Sequence, residues 1–295
     1  MKFLALLGIL AALSLSSAAN ELETFDLKTY HPENYGLQDL TGEVRIDDLL
    51  KRLNKISIFG KLTDVYFKIY WTKERGFGLT IEGIKDSFRA QKENLKELVI
   101  HRLEYIIPRP LADLAQGMKL TTARDQADTV VTAVDPQNKK DPNKLIFTFS
   151  ADNRLKSLKI FASKMVAETT YVYGPVNGSM NKVVLLSSKA DVQTLVPAVQ
   201  RHLVETKIEY GIVENVVLPT KIQIKTMAVD PKYIYPTPVA FAQINQEGTQ
   251  VVENILTISN YKANGQDAAN FYKQLDWALQ ATPTPVASTA ASAKR

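Results

Sequence analysis

The chain switches between two hydrophobic periods. From Val65 to Trp71, the residues Val65, Phe67, Ile69 and Trp71 share one face and Lys68 lies on the other, the pattern of a half-buried strand. Lys73-Glu74-Arg75-Gly76 reads as a hairpin turn in which Gly76 is free to take positive φ. Phe77, Leu79 and Ile81 then continue one face of a second strand. Beyond it the period lengthens. Phe88, Leu95, Leu98, Val99, Leu103 and Ile106 recur at helical spacing, Asp86 or Ser87 can cap the start, and Pro108 and Pro110 stop the helix. Leu111 to Gln116 fits one more short helical turn.

From Met118 onward the strand period dominates. Leu145, Phe147 and Phe149 alternate with Ile146, Thr148 and Ser150, after a polar loop bracketed by Asp135-Pro136 and Asp141-Pro142. Leu158 and Ile160 flank Lys159, and Val172-Tyr173 lead into the turn residues Gly174, Pro175, Asn177 and Gly178. Val204, Ile208 and Tyr210 oppose Glu205, Lys207 and Glu209; Ile222 and Ile224 oppose Lys221, Gln223 and Lys225. Val252 to Tyr261 reads as a late strand, and Ala268, Phe271, Tyr272, Leu275 and Leu279 form the stripe of a final helix. Val44 to Phe59 carries both periods and stays unassigned. Residues 20 to about 42 read as an extended leading segment with room for a short helix. About ten strands and two main helices result, with turn signals at strand spacing. The class is α+β: a curved antiparallel sheet, half-barrel in form, with helices covering its concave side. No repeat of a solenoid or propeller is visible.

The two ends read differently. Lys2, an apolar run from Phe3 to Leu15 and the small residues Ser16, Ser17, Ala18 and Ala19 form a secretory signal, with cleavage expected before Asn20. The apolar run falls short of the roughly 20 residues a membrane-spanning helix needs. With no Cys in the chain, disulfides and a lipid-anchored cleavage site are both excluded. Residues 1–19 are thus taken as signal peptide and 20–280 as a single domain. Residues 281–295, composed of Ala, Thr, Pro, Ser, Val, Lys and Arg, are taken as a disordered tail. A soluble, exported, monomeric protein is expected. Its formal net charge of +5 includes Lys2. That mild excess, without like-charge runs or basic stretches interleaved with aromatics, gives no reason to expect nucleic acid as a partner.

Candidate chemistry is sparse. His31, His101 and His202 lack metal-ligand spacing, and without Cys nothing suggests a metal or redox site. No nucleophile elbow, zinc-protease helix, phosphate loop or dinucleotide fingerprint occurs. Asp47-Asp48, if on a strand, point to opposite faces and cannot work together as acid and base. Asn177-Gly178-Ser179 is a formal glycosylation sequon. Catalysis and cofactors are not expected. Large apolar faces remain: Phe67, Ile69 and Trp71, then Phe77 and Leu79, then Phe147 and Phe149. In a tight sandwich they are core; in an incomplete barrel they line a cavity for acyl chains, and the pattern alone does not separate the two.

Asp64 to Leu79 resembles the paired early strands of the periplasmic outer-membrane lipoprotein carrier family. In that family an alternating strand ends in a basic turn and resumes with an aromatic residue. Val216 to Ile224 resembles the family's late strand, which carries an apolar-Leu-Pro run. The resemblance implies a half-barrel lidded by helices, with a hydrophobic cavity that shelters lipid or lipoprotein acyl chains in the periplasm. It implies membrane-bound donor and acceptor proteins as partners. By the same resemblance Phe67, Ile69, Trp71, Phe77 and Leu79 line the cavity, and Arg75 stands nearest to the Arg that holds the lid. The Pro usual in that turn is absent here. Two other readings stay open: an envelope structural or regulatory module that binds a protein partner, and a secreted hydrolase with dispersed carboxylates.

Overall fold

A computed structural model describes residues 18–56, 58–196, 200–229, 243–244 and 250–281. The apolar run of the expected export signal and residues 282–295 of the expected tail lie outside the described residues. Among the described residues no helix is long and apolar enough to cross a membrane.

The chain opens with a helix, α1, over residues 18–28. Next come β1 (Asp39–Ile46), α2 (Leu49–Ile56), β2 (Tyr66–Thr72) and β3 (Gly76–Glu82). A helical stretch follows, with α3 (Arg89–Ile100), a 3-10 turn at Leu103–Tyr105 and α4 (Leu111–Leu114). A long meander then runs through β4 (Lys119–Asp125), β5 (Asp128–Val134), β6 (Lys144–Phe149) and β7 (Leu155–Phe161). It continues through β8 (Met165–Gly174), β9 (Val184–Thr194), β10 (Gln200–Val213) and β11 (Val216–Ala228). The short β12 (Gln243–Ile244), β13 (Gln250–Ala263) and α5 (Asp267–Ala281) complete the order.

The protein is α+β, with twelve strands in the order β3-β2-β1-β13-β11-β10-β9-β8-β7-β6-β5-β4 and β12 pairing beside β13. Every pairing between these strands is antiparallel. The two ends of the sheet, β3 and β4, do not pair with each other, so it is not closed into a barrel. Among the described residues, twelve strands and the two-residue β12 correct the expected ten or so, and five α-helices the expected two main ones. Strands not singled out in the sequence include β4, all half-exposed or exposed, β5, and β9, where Ser and Ala interrupt the apolar face. The ambiguous Val44–Phe59 run splits into the end of β1 and all of α2, which explains its two periods. Asp47 and Asp48 sit in the turn between them, with Asp48 at φ 58, rather than on a strand.

Register explains where the core lies. Val131, Phe147, Leu158, Thr169, Ala190, Val204, Thr226 and Val252 pair in one cross-strand row, so they share a face over eight strands. Two large apolar clusters form on that face, beside a small third one of Tyr30, Val184 and Val217. The first packs α2 and α3 against β1, β2 and β3 and takes in Ile208, Ile222 and Leu256 from the middle of the sheet. The second packs Leu22 and Phe25 of α1 and Leu111 of α4 against Val131, Phe147, Phe149 and Leu158. α5 lies on the opposite face: Phe271 stacks on Tyr70 at 3.9 Å between ring centroids, and Tyr70 alternates with the inward-facing Trp71. Gly83, at φ 84, leaves β3 where a Cβ would stand 1.9 Å from the Asp64 carbonyl oxygen, so no other residue fits that turn.

Candidate functional site

Between the two clusters lies a cavity of about 80 Å³. Three parts of the chain enclose it. The sheet supplies Tyr173, Val184, Leu185, Tyr210 and Val217. The end of α1 and the residues after it supply Phe25, Asp26, Thr29, Tyr30 and His31. The connection from α3 to β4 supplies Glu104, Tyr105, Ile106, Pro108, Arg109 and Leu111.

The α1 side is fixed firmly to the sheet. Tyr30 N–H donates to Val183 O at 2.9 Å and Val183 N–H to Lys28 O at 3.0 Å. The Tyr30 hydroxyl accepts from Val217 N–H at 3.0 Å. Segment 103–115 is held differently. Its apolar residues divide between the two clusters, Leu103 and Ile106 in the first, Leu111 and Ala115 in the second. Its polar ties go to the α1 side. Asp26 accepts Leu111 N–H at 2.8 Å and Ala112 N–H at 3.0 Å, one on each carboxylate oxygen, and so caps α4 from another helix. His31 Nδ1 lies 3.2 Å from the Pro108 carbonyl oxygen. The segment therefore spans the cavity like a strap, tied to α1 and its extension by two side chains.

Aromatic and aliphatic side chains share the wall. Tyr173 meets Phe25 edge-on at 5.2 Å. Desolvation raises the hydroxyls of Tyr171, Tyr173 and Tyr210 above the usual phenol range, and Tyr210 donates to Leu185 O at 2.8 Å. Tyr173 and Tyr210 line the cavity and are half-buried, and Tyr171 stands next to Tyr173 outside the lining. The acidic groups at the polar end respond to the same surroundings. Desolvation raises Asp26, opposed by the amides of Ala112 and Leu111 and by His31. Desolvation also raises Glu104, opposed by Arg102, His101 and Arg109, although its side chain reaches solvent.

No family model, curated protein or solved structure matches the chain.

The residues singled out from sequence lie elsewhere. Phe67 and Ile69 are fully buried in the first cluster, with Trp71 and Leu79 beside them, and Phe77 packs half-buried against it. Arg75 is on the opposite side, where both guanidinium ends donate to Asp276 of α5 at 2.9 Å and the group sits over the Tyr272 ring. None of the six lines the cavity. Among the histidines, His101 is exposed and pairs with Glu97 on α3, while His31 is buried in the cavity wall. Among the described residues no group of His, Asp and Glu is placed to hold a metal ion. The lining residues missed from sequence left partial signals: the aromatics Phe25 and Tyr30 in a polar segment, Tyr173 ahead of a turn, Tyr210 on a strand, and the Pro-bounded turn before Leu111.

Proposed function

We propose that the protein is an exported carrier that shelters acyl chains of lipids or lipoproteins between a curved, half-barrel sheet and the 103–115 strap, for transfer across the periplasm. The observation that carries the reading is the largely apolar cavity on the helix-covered face, bordered by a segment that the Asp26 and His31 side chains tie to α1 and its extension. Binding needs burial and release needs strap movement; neither requires a cofactor. The resemblance of the early and late strands to lipoprotein carriers points the same way, as does the signal-like amino terminus.

The size of the cavity sets a condition. At about 80 Å³ it is smaller than the roughly 150 Å³ cavity that accepts benzene in an engineered protein, and far below ordinary ligand sites. An acyl chain enters only if the strap lifts. Exposing Ile106 and Leu111 costs about 3–6 kcal/mol, at about 1.5–3 kcal/mol for each buried side chain. A ligand methylene returns about 0.8 kcal/mol, so at the upper cost about eight must be buried before opening is favourable. Chains of 14–18 carbons should therefore displace a fluorescent acyl probe, and chains of six or fewer should not. Lipid extraction and native mass spectrometry of protein from an envelope fraction should show acyl species of that length. Absence of both probe uptake and co-purifying lipid would reject the carrier reading.

A further inference from the structure

The polar end of the cavity is rich in hydrogen-bond acceptors. His31 is 3% exposed and its ring belongs to the cavity wall. Its Nδ1 faces the Pro108 carbonyl oxygen at 3.2 Å and Glu33 Oε1 at 3.8 Å. A carbonyl and a carboxylate only accept, so Nδ1 carries the proton and Nε2 of the neutral ring keeps a lone pair. That Nε2 is buried and has no hydrogen-bond partner, and neither has the buried Oε2 of Glu33. A buried acceptor without a donor is a standing cost that a ligand donor can remove. Two carboxyls, Asp26 and Glu104, line the same cavity against one guanidinium, that of Arg109. Asp26 already spends both oxygens on strap amides.

We infer that the cavity selects amphiphiles whose headgroup donates hydrogen bonds and carries no negative charge, such as a glycerol hydroxyl or an amide N–H, over fatty-acid anions. The inference rests on the lipid-binding reading above and adds the headgroup to it. A hydroxyl near His31 satisfies Nε2. A carboxylate there supplies one more acceptor and a further negative charge beside Asp26 and Glu104, whose charges Arg109, with Arg102 and His101 near Glu104, already has to offset.

The test holds the chain constant and changes the head. The full protein is loaded with neutral N-phenylnaphthylamine at pH 8. 1-Monooleoylglycerol and oleate then compete for it. The glycerol ester should displace the probe at about one-tenth of the oleate concentration, as one regained buried hydrogen bond implies. His31→Phe keeps a ring but removes Nε2, and should bring the ratio towards one by weakening the ester. Glu104→Gln should narrow the ratio from the other side, by strengthening oleate, and serves if the first variant misfolds. Equal displacement by the two lipids, or stronger displacement by oleate, overturns the headgroup inference and leaves lipid binding standing. No probe uptake and no displacement by either lipid overturns both.

Discussion

Asp26 caps α4 through both carboxylate oxygens, yet desolvation in the cavity wall raises its carboxyl above the ordinary value of 3.8. Desolvation outweighs the two amide hydrogen bonds. A raised carboxyl binds its proton more tightly folded than unfolded. Its contribution to stability is therefore complete below 3.8 and is lost as pH rises through the raised value. Asp26→Asn does not titrate and can still accept one amide. The stability of the wild type relative to Asp26→Asn should fall between pH 3.5 and 7, measured as urea midpoints at both ends; a flat or rising difference would show that the amides dominate. A second contrast separates cavity wall from core. Phe67 is fully buried in the first cluster and away from the cavity, so Phe67→Ala should cost about 3–5 kcal/mol and lower the unfolding midpoint. Tyr173→Asp puts a charge into the wall and should weaken probe uptake by about tenfold or more, while cooperative melting persists. Probe uptake lost in Phe67→Ala while its midpoint is unchanged would reverse the two roles.

At the scale of elements, the strap and the strands around it differ in how they are held. The β10–β11 hairpin pairs from Val213–Val216 to His202–Ala228 with one bulge at Thr220, and turns on Glu214 and Asn215, both at positive φ, the two-residue turn that matches strand twist. The strap has no ladder; α4 is four residues long and depends on Asp26 from α1 for its first amides. Opening should therefore free the strap and leave the sheet paired. In hydrogen exchange read by mass spectrometry, loading with an 18-carbon lipid should speed exchange in a peptide covering 110–115. Peptides covering β10 and β11 should not change. Protection of 110–115 on loading would mean the ligand sits elsewhere and the strap stays shut. The same distinction governs what was legible in sequence. Strands with strict alternation, such as β2 and β6, and the amphipathic helices could be read directly, because period two and period 3.6 are recorded in side-chain type. The strap could be read only as a Pro-bounded turn. Its function depends on Asp26 and His31, which lie about 80 residues earlier and approach it only through folding.

Across the whole molecule one ladder joins the two clusters, and this is what the sequence hid most completely. Phe67 and Tyr173 both read as inward residues on strands, yet one is core and the other cavity wall, because composition records which side faces inward and not how densely that side is filled. The cavity falls where neither the helices over β1, β2 and β3 nor α1 over β5, β6 and β7 reach across the middle of the sheet. If the shared ladder makes the two clusters one cooperative unit, damage in one must be felt in the other. The protein's two tryptophans permit that measurement: Trp71 is 6% exposed inside the first cluster, and Trp277 is 72% exposed on α5. In a Trp277→Phe background, Trp71 fluorescence reports the first cluster alone. Phe147→Leu, placed wholly in the second cluster, should cost about 1–2 kcal/mol and move the Trp71 urea midpoint by the same amount as the circular-dichroism midpoint of the sheet. A Trp71 midpoint that stays put while the dichroism shifts would divide the molecule into two independently melting halves. The strap, anchored in both clusters, would then link two units rather than cover a cleft within one.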